Sequence, residues 1–329
     1  MTIEMSAIAI TPDNYATIRS VVRAVARQDV AGQMELVIVG PPRDELQVVE
    51  EDLVPFGKVT FVTQREFVGT PQHRAAGIRA ANAPVVVLLE EHCFPAAGWA
   101  RALIERHRED WAGVSPIVLN GNPRRAVSWA NYLTEYGGWL HCKTAEEQEH
   151  IPGHNSSYKK EVLLEYGDRL EEMIAAESAM QFDLRTRGHR FCIDREARAF
   201  HLNPSVLLPS LGLTFWGGRL FAANRARNWS VGKRLVYIFG APLIPLVRFA
   251  KIWPVWRSLC RNRPGTLDML MTLWIMLKFN AMGELCGYLL GEGAAVERTS
   301  KMEFRRRSFL RKGEPLARQV RQLLSSSRS

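Results

Sequence analysis

Four apolar runs punctuate the N-terminal half of the chain at strand length. Ile3 to Ile10 alternates and stops at "TPDN". "MELVIVG" ends at "GPPRDE", "KVTFVT" follows, and "APVVVLLE" stops on Glu90, Glu91 and His92. Between the first two lies Asn14 to Gln28, where Ile18, Val21, Val22 and Val25 recur at helical spacing. Between the third and fourth lies "TPQHRAAGIRAAN", a short predicted helix with Thr70 as N-cap and Pro71 at its first position. Strand alternating with helix predicts an α/β fold, a Rossmann-like, mostly parallel sheet flanked by helices.

In such sheets ligands sit beyond the carboxyl ends of the strands. Thr11 to Asp13, Gly40 to Asp44, and Glu90 to His92 all stand at such ends. Two carboxylates and an imidazole after five apolar residues must reach water, a cation or a ligand, because burying them unpaired is costly. The plain alternative is a solvated loop after a strand. No glycine cradle for phosphate is present, neither G-x-G-x-x-G nor G-x-x-x-x-G-K-[ST]. A divalent metal held by Glu90 and His92 would take over the neutralising role. Carboxylate suits both Mg²⁺ and Mn²⁺, whereas imidazole is a poor magnesium ligand, so Mn²⁺ is expected over Mg²⁺.

The order of these features resembles the family 2 glycosyltransferases with the GT-A fold. "AITPDN", "ARQDVAGQMELVIVG", "HRAAGIRAANAPVVVLLEEH" and "CFPAAGW" follow one another as the family's motifs do, with Glu-Glu-His in place of the D-x-D. Downstream, "PGHNSSYKK", "AAESAMQFDLRTRGHRF" and "ARAFHL" resemble its later ones, so the match covers roughly residues 3 to 203. The resemblance implies inverting, metal-dependent transfer of a sugar from a nucleotide-sugar donor. Glu177 would be the general base. Glu90, His92 and His201 would be metal ligands. Thr11, Pro12, Asp13, Asp44, Arg74, Glu90 and Glu91 would lie around the donor. Gly153, His154, Asn155 and Ser156 would face sugar or acceptor. The chain departs from the family at Gly40, where an acid is usual, and at Ala176, the first residue of the E-D pair. These departures favour the alternative, a non-catalytic glycosyltransferase-like domain that binds a sugar nucleotide or a partner at the membrane.

The aromatic segment "NGNPRRAVSWANYLTEYGGWL" spaces Trp129, Tyr132 and Tyr136 as one buried helical stripe. After Asn203 the composition changes. "LVYIFGAPLIPLVRFAKIWPVW" and "TLDMLMTLWIMLKFNAMGELCGYLLG" are strongly apolar but interrupted by prolines or charges. They read as helices lying in a membrane interface rather than as clean spans. A soluble helical subdomain is the competing reading. The predicted organisation is a catalytic domain over 1–204, a membrane-associated helical region over 205–296, and a mobile basic tail over 297–329.

Composition sharpens this only a little. The 329 residues carry a net charge of +9. From Arg298 onward there are ten Lys/Arg against two Glu, so the excess is concentrated in the tail. That suits an anionic membrane surface and lends little support to nucleic-acid binding, for which no module or regular aromatic interleaving is present. The five scattered cysteines have no metal or redox spacing and read as reduced thiols. No signal peptide is evident at the N-terminus. The expected setting is the cytoplasmic face of a membrane, with a glycan or lipid-linked acceptor for cell-surface or secreted glycan synthesis.

Overall fold

The computed structural model describes residues 2–140, 146–153, 155–175, 177–304, 306–314 and 316–325. The chain divides into two compact units. One comprises residues 1–119, 142–201 and 318–329, and the other residues 120–141 and 202–317.

The first unit opens as the apolar pattern predicts. Strands β1 (Met5–Ile10), β2 (Met34–Gly40), β3 (Lys58–Thr63) and β4 (Val85–Leu88) lie parallel in the order β3-β2-β1-β4. β1, β2 and β4 are buried along their whole length, which is why they read as unbroken apolar runs. β3 is only half-buried, as an edge strand is. Helix α1 (Tyr15–Ala26) packs Ile18, Val21, Val22 and Val25 inward, and Asn14 caps it by accepting from Ala16 N–H at 3.0 Å. Helix α2 (Thr70–Ala80) starts one residue away from the expected position: Gly69 is the N-cap, and Thr70 Oγ1 is buried without a hydrogen-bond partner among the described residues. Pro71 falls in the first turn, at the second helical position rather than the first.

Beyond β4 the sheet changes direction. β5 (Cys93–Pro95) follows at once, then α3 (Trp99–His107) and β6 (Gly113–Asn120). After helix α4 (Ala126–Tyr136) come β7 (Glu146–Gln148), β8 (Ser157–Lys159), α5 (Lys160–Leu164), α6 (Leu170–Ala175), α7 (Glu177–Thr186) and β9 (Phe191–His201). The sheet continues past β4 as β8-β6-β9-β5, with β7 also on β9. β8 runs antiparallel to β4, pairing Ser157 with Val87, and β5 runs antiparallel to β9, pairing Cys93 with His201.

The second unit is helical: α4, α8 (Leu207–Arg225), α9 (Val231–Gly240), α10 (Ile244–Leu259), α11 (Thr266–Leu290) and α12 (Ala295–Glu303). Helix α4 buries Trp129, Tyr132 and Tyr136, with ring centroids 5.5 and 5.9 Å apart in sequence order, so the aromatic stripe is core. Helices α8 and α11 approach closely: a Cβ at Gly218, Gly283 or Gly287 would collide with backbone of the facing helix. Glu284 is buried on α11, where it accepts from Arg248 and from Tyr288 Oη. One run, Val231–Leu259, is long and apolar enough by length and composition to cross a membrane, although its prolines and charges had suggested a more broken segment. Much of its surface is exposed, with Phe239 80% accessible. The basic C-terminal stretch, read from its charge as a mobile tail, contains α12 and, in the first unit, α13 (Arg318–Ser325), which buries Val320.

Candidate metal centre and its neighbouring carboxylate

The turn between β4 and β5 carries Glu90, Glu91 and His92. The β5–β9 register then does what no local pattern shows. By setting Cys93 opposite His201, it brings two histidines 109 residues apart against each other. His92 Nε2 and His201 Nε2 are 3.0 Å apart. Glu90 Oε2 lies 3.5 Å from the first and 3.7 Å from the second. All three side chains are buried, and their donor atoms fall within 4.8 Å of one another.

The donor set fits a divalent ion. Glu91 Oε2 accepts from His92 Nδ1–H at 2.8 Å, which puts the proton on Nδ1 and turns the Nε2 lone pair toward His201 and Glu90. His92 Nε2 and His201 Nε2 meet at hydrogen-bond distance beside a carboxylate oxygen, an arrangement that either a shared proton or a bound cation satisfies. Donors bonded to one ion at about 2.1 Å stand roughly 3.0–3.5 Å apart, close to the separations seen here. A strand-end turn read as either a solvated loop or a metal site is therefore buried, with its acidic and imidazole groups facing inward.

Asn155 completes the surround. Its side chain is buried, and Nδ2 donates to Glu90 Oε2 at 2.7 Å. Its backbone is in the left-handed region, φ 59°, held by Asn155 N–H on Leu88 O at 2.9 Å and by Leu88 N–H on Ser156 O at 3.2 Å. Asn155, expected from the sequence to face sugar or acceptor, thus orients a metal-ligand candidate. Ser156 is buried and donates to Pro152 O. His154 lies outside the described residues.

Burial beside Glu90 and Glu91 pushes the Cys93 thiol well above its ordinary range: desolvation and the two neighbouring negative charges all disfavour the thiolate. Cys93 is an inert core thiol. The other described cysteines, Cys192, Cys260 and Cys286, are free, as their spacing predicted; Cys142 lies outside the described residues.

Glu177 opens α7, whose Met180 and Leu184 are buried at the predicted spacing. Its carboxylate accepts from Arg74 Nη1 at 2.8 Å, with side-chain exposures of 18% for the acid and 8% for the arginine. Glu177 also presses on Gly153, where a Cβ would collide with the carboxylate. Tyr158 is fully buried nearby, and its hydroxyl is pushed up by desolvation and by the negative charge of Glu177.

The remaining sequence candidates occupy less committed places. Thr11 is buried and donates to Asn14 O at 2.7 Å. Asp13 accepts from Asn14 N–H at 2.6 Å and Thr17 Oγ1 at 2.7 Å. Desolvation opposes its ionisation, but the hydrogen bonds from Thr17, Asn14 and Thr11 win, and its carboxyl is held below the usual range. Both residues therefore build the start of α1. Pro12 is half-buried beside them, and Asp44 is exposed. Gly40 has a steric reason: a Cβ there would stand 2.7 Å from Thr11 O and 2.8 Å from Thr11 Cγ2. The acid that the family resemblance would place at this strand end has no room.

No protein-family profile matches the chain. Among solved structures, a mannosyltransferase, PcManGT from Pyrobaculum calidifontis in complex with GDP-Man and Mn²⁺, aligns at a TM-score of 0.55 and 14% identity over 88% of each chain. TarS residues 1–349 from S. aureus in complex with UDP aligns at 0.47 and 15% identity, over 95% of this chain and 98% of that one. GalNAc-T7 with UDP, GalNAc and Mn²⁺ aligns at 0.48 and 15% identity, over 88% of this chain and 56% of that one. The mannosyltransferase match shows that the architecture, a mostly parallel sheet flanked by helices, is that of GT-A-type glycosyltransferases.

Proposed function

We propose that the chain is a metal-dependent glycosyltransferase that moves a sugar from a nucleotide-sugar donor to an acceptor hydroxyl with inversion. The observation that carries this reading is the convergence of Glu90, His92 and His201 at the carboxyl end of β4 in a GT-A-type sheet. A divalent ion held by these three would offset the charge developing on the leaving diphosphate. Mn²⁺ is favoured over Mg²⁺ by the two imidazoles. Glu91 and Asn155 orient two of the ligands. Glu177 is the general base that takes the acceptor's proton. Attack from the face opposite the diphosphate inverts the anomeric centre. The β1 and β2 ends, with Thr11, Pro12, Asp13 and Asp44, contribute the nucleoside side.

The exposed apolar surface of Val231–Leu259 supports association with a membrane and, with it, a membrane-presented or lipid-linked acceptor. Arg234, Lys251 and Arg257 lie among its apolar residues, and cations suit an anionic leaflet.

Thermal unfolding with UDP or GDP and Mn²⁺, Mg²⁺ or EDTA, combined with release of UDP or GDP from a panel of their sugar conjugates with water as the acceptor hydroxyl, tests the reading. Wild type is expected to gain a metal-dependent midpoint shift and to release diphosphate. Glu177→Gln should keep the shift and lose release by about 10²–10⁴-fold. A metal response unchanged in His92→Ala would remove the metal assignment. Release that persists in Glu177→Gln would remove the base assignment.

A further inference from the structure

The proposed base has its own mounting. The sequence offers Arg74 either to the donor phosphate or to an acid, and Gly153 either to a wall for sugar hydroxyls or to an ordinary turn. The structure places both against Glu177. Arg74 Nη1 donates to Glu177 Oε1 at 2.8 Å. The Arg74 side chain is 8% exposed, and its Nε–H meets no hydrogen-bond acceptor among the described residues. The Glu177 carboxylate is a charge-assisted partner to this buried cation and fixes its orientation. On another side of the carboxylate, Gly153 leaves no space for a methyl group.

The helix carrying Glu177 is itself pinned to the same segment. Gln181, one turn on, accepts from Ile151 N–H at 2.8 Å and donates to Tyr158 Oη at 2.8 Å. Both partners flank Gly153 along the chain. Arg74 comes from α2, Gly153 from the segment before β8, and Glu177 from α7. Three distant stretches thus converge on one carboxylate.

We infer that Arg74 and Gly153 are positioning residues for Glu177: the guanidinium holds one carboxylate oxygen while the glycine admits the carboxylate against the backbone, and together they set the direction in which it accepts a proton. This rests on the reading of Glu177 as the base. Neither residue touches the reacting atoms in this scheme. Their effect is expected in kcat rather than in donor affinity, because a base misplaced by about 1 Å loses on the order of 10²-fold in rate.

The test is a cycle on the full-length protein. Arg74→Lys, Arg74→Met and Gly153→Ala are made in wild type and in Glu177→Gln, with circular dichroism to confirm folding. Two quantities are read: release of UDP or GDP from the sugar panel with water as the acceptor, as kcat and KM, and the thermal shift with UDP or GDP plus Mn²⁺. Arg74→Met and Gly153→Ala are expected to lower kcat by about 10–100-fold with KM and the nucleotide shift retained. Arg74→Lys should recover part of the loss, since it restores charge without the planar fork. In Glu177→Gln none of the three should cost anything further.

Loss of the nucleotide shift in Arg74→Met or Arg74→Lys would overturn the inference and return Arg74 to the donor phosphate. Equal losses in the wild-type and Glu177→Gln backgrounds would also overturn it, because the residues would then act independently of the base. Glu177→Gln that releases diphosphate as fast as wild type, or a wild type that releases none from any sugar tested, would overturn the base reading and this inference with it. Should Arg74→Met not fold, Arg74→Lys and Gly153→Ala decide the question on the same criteria.

Discussion

Two buried carboxylates at opposite ends of the same parallel sheet do different things. Glu35 lies near the start of β2 and is fully buried. It accepts from Ser6 Oγ at 2.5 Å, Thr60 Oγ1 at 2.6 Å, Asn82 N–H at 2.7 Å and Asn82 Nδ2 at 2.6 Å. Every neighbour is a donor, so desolvation is outweighed and the carboxyl is held below its ordinary 4.5. Glu90 lies just past the end of β4, equally buried, and faces two imidazole nitrogens as well as one amide donor. A carboxylate ringed by donors fastens neighbouring strands. One that shares its site with two imidazole nitrogens offers a donor set for a cation. Burial alone does not separate the two, but the polarity of the surrounding atoms does.

Exchange of each carboxylate for its amide should split their roles. Glu90→Gln or His92→Ala is expected to abolish the Mn²⁺-dependent stabilisation, which for wild type is about 2.7 kcal/mol at a metal concentration one hundred times Kd. The unfolding midpoint in EDTA should stay close to wild type. A retained metal response in both variants would show the strand end to be structural, as Glu35 is.

Glu35→Gln should do the reverse. It is expected to lower stability by about 1–3 kcal/mol in urea unfolding, because buried donors lose an ionised acceptor, while the metal response persists. The pH dependence follows from the depressed carboxyl. Its stabilisation is fully present above the ordinary value of 4.5 and is lost as pH falls through the lower folded-state value. The gap between wild type and Glu35→Gln should therefore close on acidification below about pH 4. A gap independent of pH would mean that shape rather than charge matters at this end of the sheet.

The smallest effect concerns the neighbour of Glu90. Asn155→Leu removes a donor without removing a ligand, and metal affinity measured by the concentration dependence of the thermal midpoint should fall about tenfold. Unchanged affinity would mean that Glu90 is held by its backbone alone.

The parallel strands and first helices were legible because each writes its own period. β1 to β4 appear at the expected runs within one or two residues, and α1 begins one residue after Asn14, where the stretch of helical spacing starts. Thr70 misled because a capping residue type stood one position past the actual cap, Gly69, whose extended backbone needs no side chain to start the helix. The stripe of Trp129, Tyr132 and Tyr136 was equally readable as core. The grouping of residues 120–141 with the C-terminal helices was not, since assignment to a compact unit is a matter of long-range packing.

The candidate site divides along the same line. Glu90 and His92 stood out locally as polar groups at a strand end, and a family resemblance added Glu177 and His201. The pairing of Cys93 with His201 turned two of these into neighbours, and strand register is set by packing across the sheet, not by either strand's pattern. Gly40 and Gly153 could be read only as small residues until the chain passing beside each was in place. Arg74 could be placed on its helix but not given a partner, because an arginine reaches whichever acid the fold brings within range. The sequence alone therefore determined the strands, the first helices and the types of group at their ends, since these follow from local periodicity and backbone preference. Only the tertiary structure decided which donors converge on one point, which carboxylate is surrounded by donors and which glycines are sterically required, since each depends on close contact between stretches far apart in the chain.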